Sequence, residues 1–316
     1  MPLLLSKKED ENALEVERRF YAKRFVLRVD REKCRGCGIC ELVCHTKAIS
    51  LNPMPKENVN GEERAVKARI EIDPSKCDHC GMCEAICPFA AIEHRVNDKP
   101  IVSVVEKGSF PEYIREIIVD PSKCDFSCVD YEKACPLSLI TVKVFDEVGQ
   151  EVKDAGGSRR EPSSKRGDYR VSVEIDEKSC PCCRVCELKF PEGVIKVRKI
   201  FNGTINVTQE KCPEGCRNCL EVCPVEALYL GKDGKVYPED TFCVYCGACV
   251  KVCPEEGALK VTRTSIRHTP VKSGAWNKAL EKLTDEKGFE RELRTKRTVK
   301  ALDALKGRSG IRSENL

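Results

Sequence analysis

Long apolar runs are missing from this chain. No stretch approaches the roughly 18 residues a membrane-spanning helix needs, so no membrane span is expected. Met1-Pro2-Leu3-Leu4-Leu5 is too short for the apolar core of a secretory signal, and a charged run from Lys7 to Arg19 follows at once. Aromatic residues are scarce, with 1 Trp, 7 Tyr and 10 Phe among 316 residues, so an ordinary aromatic-rich core is not available. No Ser–His–Asp set, glycine-rich nucleotide loop or substrate-pocket signature is visible, which argues against an enzyme in its own right. The formal net charge is only +4, and the abundant Asp and Glu read as solvated surface.

Cysteine is what the chain has in excess, 23 residues, far above ordinary usage. A secreted disulfide scaffold would be short and would carry a signal peptide. The expectation is therefore a reducing, cytoplasmic setting. The cysteines fall in runs. Cys77, Cys80, Cys83 and Cys87-Pro88 read C-x2-C-x2-C-x3-C-P. This is the bacterial-ferredoxin run, in which three thiolates wrap one cubane cluster and the fourth ligates its neighbour. The fourth cysteine is expected to begin a helix facing away, and the proline fixes the turn. Zinc sites show two separated C-x2-C pairs instead, a poorer match to three cysteines at three-residue spacing. Clusters would replace part of the core, and the chain without them is expected to fold poorly.

Six such units repeat along the chain, each with an apolar lead-in strand, usually an acidic turn residue, the cysteine loop, a short helix and a return strand. The lead-ins include Val26–Asp30, Arg69–Asp73, Ile117–Asp120, Val171–Asp176, Thr204–Val207 and Lys235–Tyr237. Two units make one small domain. The expected fold is α+β: three tandem two-cluster bacterial-type (2[4Fe-4S]) ferredoxin domains and a helical C-terminal tail. The expected boundaries are an N-terminal arm at 1–24, domains at 25–97, 98–200 and 201–264, and a basic tail at 265–316. Residues 52–67 read as a surface insertion, 95–114 as a linker, and 147–170 as a mobile, breaker-rich insertion.

Crossed ligation assigns the thiols in sets. The first is Cys34, Cys37, Cys40 and Cys87; the second is Cys77, Cys80, Cys83 and Cys44. The last two units supply Cys212, Cys216, Cys219 and Cys253, then Cys243, Cys246, Cys249 and Cys223. In the middle pair the template calls for cysteine at 131 and 190, where Tyr131 and Phe190 stand. Crossed ligation puts both losses on one cluster and leaves Cys180, Cys183, Cys186 and Cys135 as a complete set. A nested pairing would scatter them over two clusters. Five [4Fe-4S] clusters are expected, with Cys124, Cys128 and Cys182 left over. The leftovers read either as vestigial thiols, with Tyr131 and Phe190 filling the lost cluster's volume, or as a remodelled metal site in which Cys182 replaces a ligand and a sixth centre survives.

His45 and His79 lie beside ligands, either tuning a cluster or serving as plain loop residues; His94 and His268 show no partner spacing. From Arg263 to Leu316 there are 14 Lys or Arg and 7 Asp or Glu, leaving the rest of the chain slightly acidic. Five cubanes, each about −2 with its thiolates, would add about −10. Trp276, Leu280 and Leu283 share a helical face, and Phe289, Leu293, Leu302 and Leu305 suggest another. The tail either packs on its own domains or docks another subunit. Interspersed acids argue against nucleic acid.

The cysteine ladder resembles archaeal polyferredoxins. With the opening segment from Arg19-Phe20 to Cys44 and Val271-Lys272-Ser273-Gly274-Ala275-Trp276-Asn277-Lys278-Ala279-Leu280, it resembles the iron–sulfur polyferredoxin component of archaeal formylmethanofuran dehydrogenase. That resemblance implies a non-catalytic chain conducting electrons through [4Fe-4S] clusters to or from a tungsten or molybdenum enzyme of archaeal one-carbon metabolism. The partners it implies are larger redox subunits, or other ferredoxins. The alternatives are a freely diffusing multi-cluster ferredoxin, or an electron wire within a hydrogenase- or heterodisulfide-reductase-type complex.

Overall fold

A computed structural model describes residues 4–59, 62–124, 126–146, 148–152 and 170–284. One pairing rule organises it. The lead-in strand of one unit pairs with the return strand of the next, and the return strand of the first pairs with the lead-in of the second. Thus Arg24–Asp30 lies antiparallel to Ile92–Val96, while Ile49–Asn52 lies antiparallel to Arg69–Ile72. The same nesting joins Glu116–Val119 to Ile195–Arg198 and Ile140–Phe145 to Arg170–Ile175. It occurs once more between Phe201–Val207 and Leu259–Ile266, and between Leu228–Leu230 and Val236–Pro238.

Alternation drives the strands. Ile70 and Ile72 are buried while Arg69 and Glu71 are partly exposed, the period-2 pattern of a sheet with one covered face. Acidic residues then stop the strands. Asp30 Oδ1 accepts from the Glu32 and Lys33 amides at 2.9 and 3.0 Å. Asp73, Asp120 and Asp176 cap equivalent turns through Ser75, Ser122 and Ser179. A side-chain carboxylate satisfying nearby amides is what makes such a turn favourable.

The structure departs from sequence expectation in several places. The arm is not an isolated tail: Leu4–Glu9 and Ala13–Arg19 form a hairpin that extends the first sheet. Its Leu14 and Val16 are fully buried. Its alternation was masked by its many charges. The stretch 95–114 is packed rather than a free linker, with a short helix Ser103–Glu106 and Phe110 buried. Residues 52–67 include a small hairpin, Glu57–Val59 with Glu62–Arg64. Most of the 147–170 insertion lies outside the described residues.

The helix position also differs. The short helices carry the third cysteine of a run and end near the fourth: Ile39–Val43 contains Cys40 and stops at Cys44, and Met82–Ala85 contains Cys83. A left-handed glycine, Gly38 or Gly81, opens each helix directly after the second cysteine, so the turn begins inside the loop. In the third unit this helix is replaced by a nine-residue 3-10 segment, Phe126–Ala134.

After the sixth unit, Gly274–Leu283 forms a helix capped by Ser273. Trp276, Ala279, Leu280 and Leu283 face inward and are buried. Trp276 packs edge-on to Phe110 at 5.3 Å and to His268 at 4.7 Å, and its indole N–H donates to His268 Nε2 at 3.3 Å. This part of the tail packs on its own chain, touching helix Ile39–Val43 of the first unit. Phe289, Leu293, Leu302 and Leu305 lie outside the described residues. Among the described residues no helix is long and apolar enough to cross a membrane.

Candidate metal centres

Nested pairing carries each fourth cysteine toward the loop of the partner unit. Three apolar cavities make the result visible. One is lined by Cys212, Cys216, Cys219 and Cys253, with Pro213, Pro254, Val236 and Leu259 around them. Another is lined by Cys223, Cys243, Cys246 and Cys249. The third is lined by Cys135, Cys180, Cys183 and Cys186, and Cys182 is not in its wall.

The first two units bring thiols together in the same way. Burial pushes the Cys40 thiol well up, and the thiols of Cys37, Cys83, Cys34 and Cys87 push it further. Cys83 is pushed up by burial and then by Cys80, Cys77 and Cys44. Elsewhere burial raises Cys183, Cys186, Cys219 and Cys243 to about 12 each. Such thiols keep their protons at neutral pH. A dense positive centre is what turns them into thiolates. Four sulfurs, buried or half-buried, around an apolar cavity fit an iron–sulfur cubane.

Backbone amides aim at the fourth sulfur of several runs. Ala48 N–H donates to Cys44 Sγ at 3.3 Å, Ala91 N–H to Cys87 Sγ at 3.3 Å, and Ala227 N–H to Cys223 Sγ at 3.2 Å. Tyr245 N–H donates to Cys243 Sγ at 3.4 Å. Donors of this kind stabilise a thiolate and set a cluster's potential.

A repeated left-handed residue explains one leftover. The position before the second cysteine is Gly36, His79, Cys182 and Tyr245, with φ 63°, 56°, 59° and 48°. Cys182 is therefore a loop-turn residue. It is fully buried, and its amide donates to Cys180 Sγ at 3.4 Å. The other two leftovers are not free thiols: Cys124 and Cys128 are joined in a disulfide. Tyr131 and Phe190 lie 5.6 Å apart, one ring against the other.

The histidines divide. His45 Nε2 is 3.0 Å from Asp78 Oδ2, beside Cys80. His79 is buried between Phe25 and His94, and burial, then His94, pushes it down to about 4. It is a neutral packing ring. His94 is fully buried and its Nδ1 pairs with the Ile101 carbonyl at 2.8 Å.

Sequence spacing does not reveal how the units meet. A Cβ at Gly247, in the last loop, would come 3.6 Å from the Cys37 carbonyl in the first. Lys251 pairs with Glu41 at 2.9 Å across the same junction. Arg115 donates to the Cys180 carbonyl at 3.0 Å and to the Pro88 carbonyl at 3.5 Å, joining the middle pair to the first. Lys199 donates to the Cys243 carbonyl at 2.9 Å.

The profile of the family described as a 4Fe-4S dicluster domain matches residues 12–91 and 211–258, the outer two pairs. A chain of the formate dehydrogenase–heterodisulfide reductase–formylmethanofuran dehydrogenase complex from Methanospirillum hungatei is similar throughout. It superposes with a TM-score of 0.74 at 32% identity, over 89% of this chain and 91% of that one. The chain belongs to the ferredoxin-like 4Fe-4S polyferredoxins. The polyferredoxin is also similar to a tetrathionate reductase component of Archaeoglobus fulgidus, 31% identical over 35% of this chain and 58% of that one. It is 36% identical, over 29% of its length, to 58% of the polyferredoxin-like component of an aliphatic sulfonate oxidoreductase from Pyrococcus furiosus. The chain thus spans little more than half the length of these curated relatives.

Proposed function

We propose that the polyferredoxin is a non-catalytic electron-transfer subunit carrying five [4Fe-4S] clusters in three two-cluster domains. The domains are those read from the sequence, at 25–97, 98–200 and 201–264. The ligand sets are Cys34, Cys37, Cys40 and Cys87; Cys77, Cys80, Cys83 and Cys44; Cys135, Cys180, Cys183 and Cys186; Cys212, Cys216, Cys219 and Cys253; and Cys223, Cys243, Cys246 and Cys249. The observation that carries the reading is the wall of each apolar cavity, which offers four thiols and no His, Asp or Glu.

Bound clusters supply one-electron couples. The chain's residues do the rest. They exclude water, hold thiolates with amide donors, and set which sites adjoin. Cys40 neighbours Cys83, Cys37 neighbours Cys246, and Cys249 neighbours Cys219. The order in space is therefore second set, first set, fifth set, fourth set, with the middle set as a side branch. Arg115 and Lys199 place positive charge where that branch meets the line.

The partner we propose is a larger redox enzyme of the formylmethanofuran dehydrogenase type, in the cytoplasm. The similarity in sequence and shape to a chain of a complex named for that enzyme supports it. The test is iron and sulfide content of the anaerobically purified protein, with EPR of its reduced form. About 20 irons per chain and cubane signals alone are expected, at four irons per cluster. A content near 24 would mean a sixth centre, and zinc in place of iron would overturn the reading. Co-purification with large redox subunits is expected; a lone monomer would favour the diffusing carrier.

A further inference from the structure

We propose that Cys124 and Cys128 form a reversible two-electron disulfide–dithiol couple, charged by single electrons from a neighbouring [4Fe-4S] cluster. The proposal rests on the cluster reading of Cys135, Cys180, Cys183 and Cys186. Its own observation is separate: the two sulfurs left without a cluster are bonded to each other, with their Cα atoms 5.8 Å apart.

Location gives the pair its role. Cys128 sits on Phe126–Ala134, the segment that runs directly into Cys135. That segment packs on the helix Val185–Lys189, which carries Cys186. Tyr131 on one and Phe190 beyond the other meet at 5.6 Å, and the Phe190 amide donates to the Cys186 carbonyl at 2.9 Å. Cys128 is fully buried in the core shared with Cys180, Cys183 and Cys186. Cys124 is only half-buried. Cys128 lies in the buried core with the middle set's thiols, and the half-buried Cys124 gives the pair its route to solvent protons.

Rival uses of these sulfurs fit less well. Tyr131 and Phe190 occupy the positions of the missing ligands, so a four-thiol centre cannot form there. Cys182 is held at the Cys180 loop. A purely structural staple gains little, because the closed loop spans a sequence separation of only 4 and loop-closure entropy grows with loop length. Disulfides in reducing compartments are usually redox elements.

The reaction balances simply. A bound cluster would supply the electrons one at a time, returning to its oxidised state after each, and the disulfide takes up two in all. The S–S bond breaks, two protons arrive from solvent, and two thiols form. The reverse returns both electrons. Bacterial-type clusters reach potentials low enough to drive it.

Trypsin would release residues 124–133, cut after Lys123 and Lys133, as a peptide holding only these two cysteines. The holoprotein is poised anaerobically with oxidised thionine or with reduced methyl viologen, quenched in acid, alkylated and digested. The expected peptide is a disulfide, lighter by two hydrogens, in the oxidised sample and doubly alkylated in the reduced one. Coulometric titration should show C124S/C128S taking two electrons fewer per chain at unchanged iron content. If the peptide stays in one form in both samples at full iron content, the proposal is overturned, whether or not the double variant folds. If iron is absent yet dithiothreitol still opens the bond, the cluster reading fails and takes the electron source with it.

Discussion

The outer pairs of units and the middle pair share one strand plan, and the middle pair departs from it at two ligand positions and in the 3-10 segment Phe126–Ala134 that replaces a cluster-loop helix. In the outer pairs every run keeps its four thiols. In the middle pair Tyr131 and Phe190 stand where cysteine would complete a set. Yet the nested strands persist there, and the turn after the fourth position persists too. Lys47, Ala90 and Glu226 lie three residues beyond Cys44, Cys87 and Cys223 with φ 53°, 47° and 53°. Gly193, three beyond Phe190, has φ 82°. The lesson is that strand pairing and turn chemistry hold this fold's shape, while the thiols decide what fills it. Where two thiols are gone, a pair of packed aromatic rings fills the space.

The largest effect that sharpens this contrast is expected at the ligands. Cys83→Ser in an outer pair should cost one cluster, about four irons of about 20, and sharply lower the melting temperature. Cys182→Ser in the middle pair should leave iron content unchanged. Equal iron loss in both would erase the distinction between a ligand and a turn residue.

A smaller effect is expected where the pairs are fastened together. Trp276 is fully buried between Phe110 and His268, so Trp276→Ala should destabilise the protein by about 3–5 kcal/mol. Urea unfolding checks it. A cost under about 1 kcal/mol would show that the C-terminal helix is not part of the packed body.

The smallest concerns backbone strain. The residue opening the cluster helix is Gly38, Gly81 or Gly247 in three outer units, and Arg184 in the middle, with φ 72°. A non-glycine residue in this region costs roughly 1–2 kcal/mol. Arg184 recovers part of that through Glu187 at 2.8 Å. Arg184→Gly is expected to stabilise by up to about 1 kcal/mol at unchanged iron content; a clear loss would mean the ion pair outweighs the strain.

Much of this was legible beforehand because it is local. Alternating β-branched residues, acidic turns and three-residue cysteine spacing all act within a few positions, so strands and loops fell close to where they were expected. The hairpin Leu4–Glu9 and Ala13–Arg19 was hidden because charged residues occupy most of its exposed positions, while Leu14 and Val16 are the apolar residues that mark its buried face. The bond between Cys124 and Cys128 was not legible, since cysteine connectivity does not follow from spacing. Nor was the meeting of the first and last loops at Cys37 and Gly247, which depends on contacts between distant segments.

That meeting makes the molecule a closed ring rather than beads on a string. Glu41 pairs with Lys251, Tyr113 bridges to His268, and Gly274–Leu283 lies on Ile39–Val43. A ribosome delivers the first unit long before the segments that cover it. The Cys37 and Cys44 loops therefore stay open to iron donors, and to oxidants, until nearly the whole chain has been synthesised. Ring closure comes last, and it brings the last loop against a first unit whose Cys34, Cys37, Cys40 and Cys44 remain half-buried.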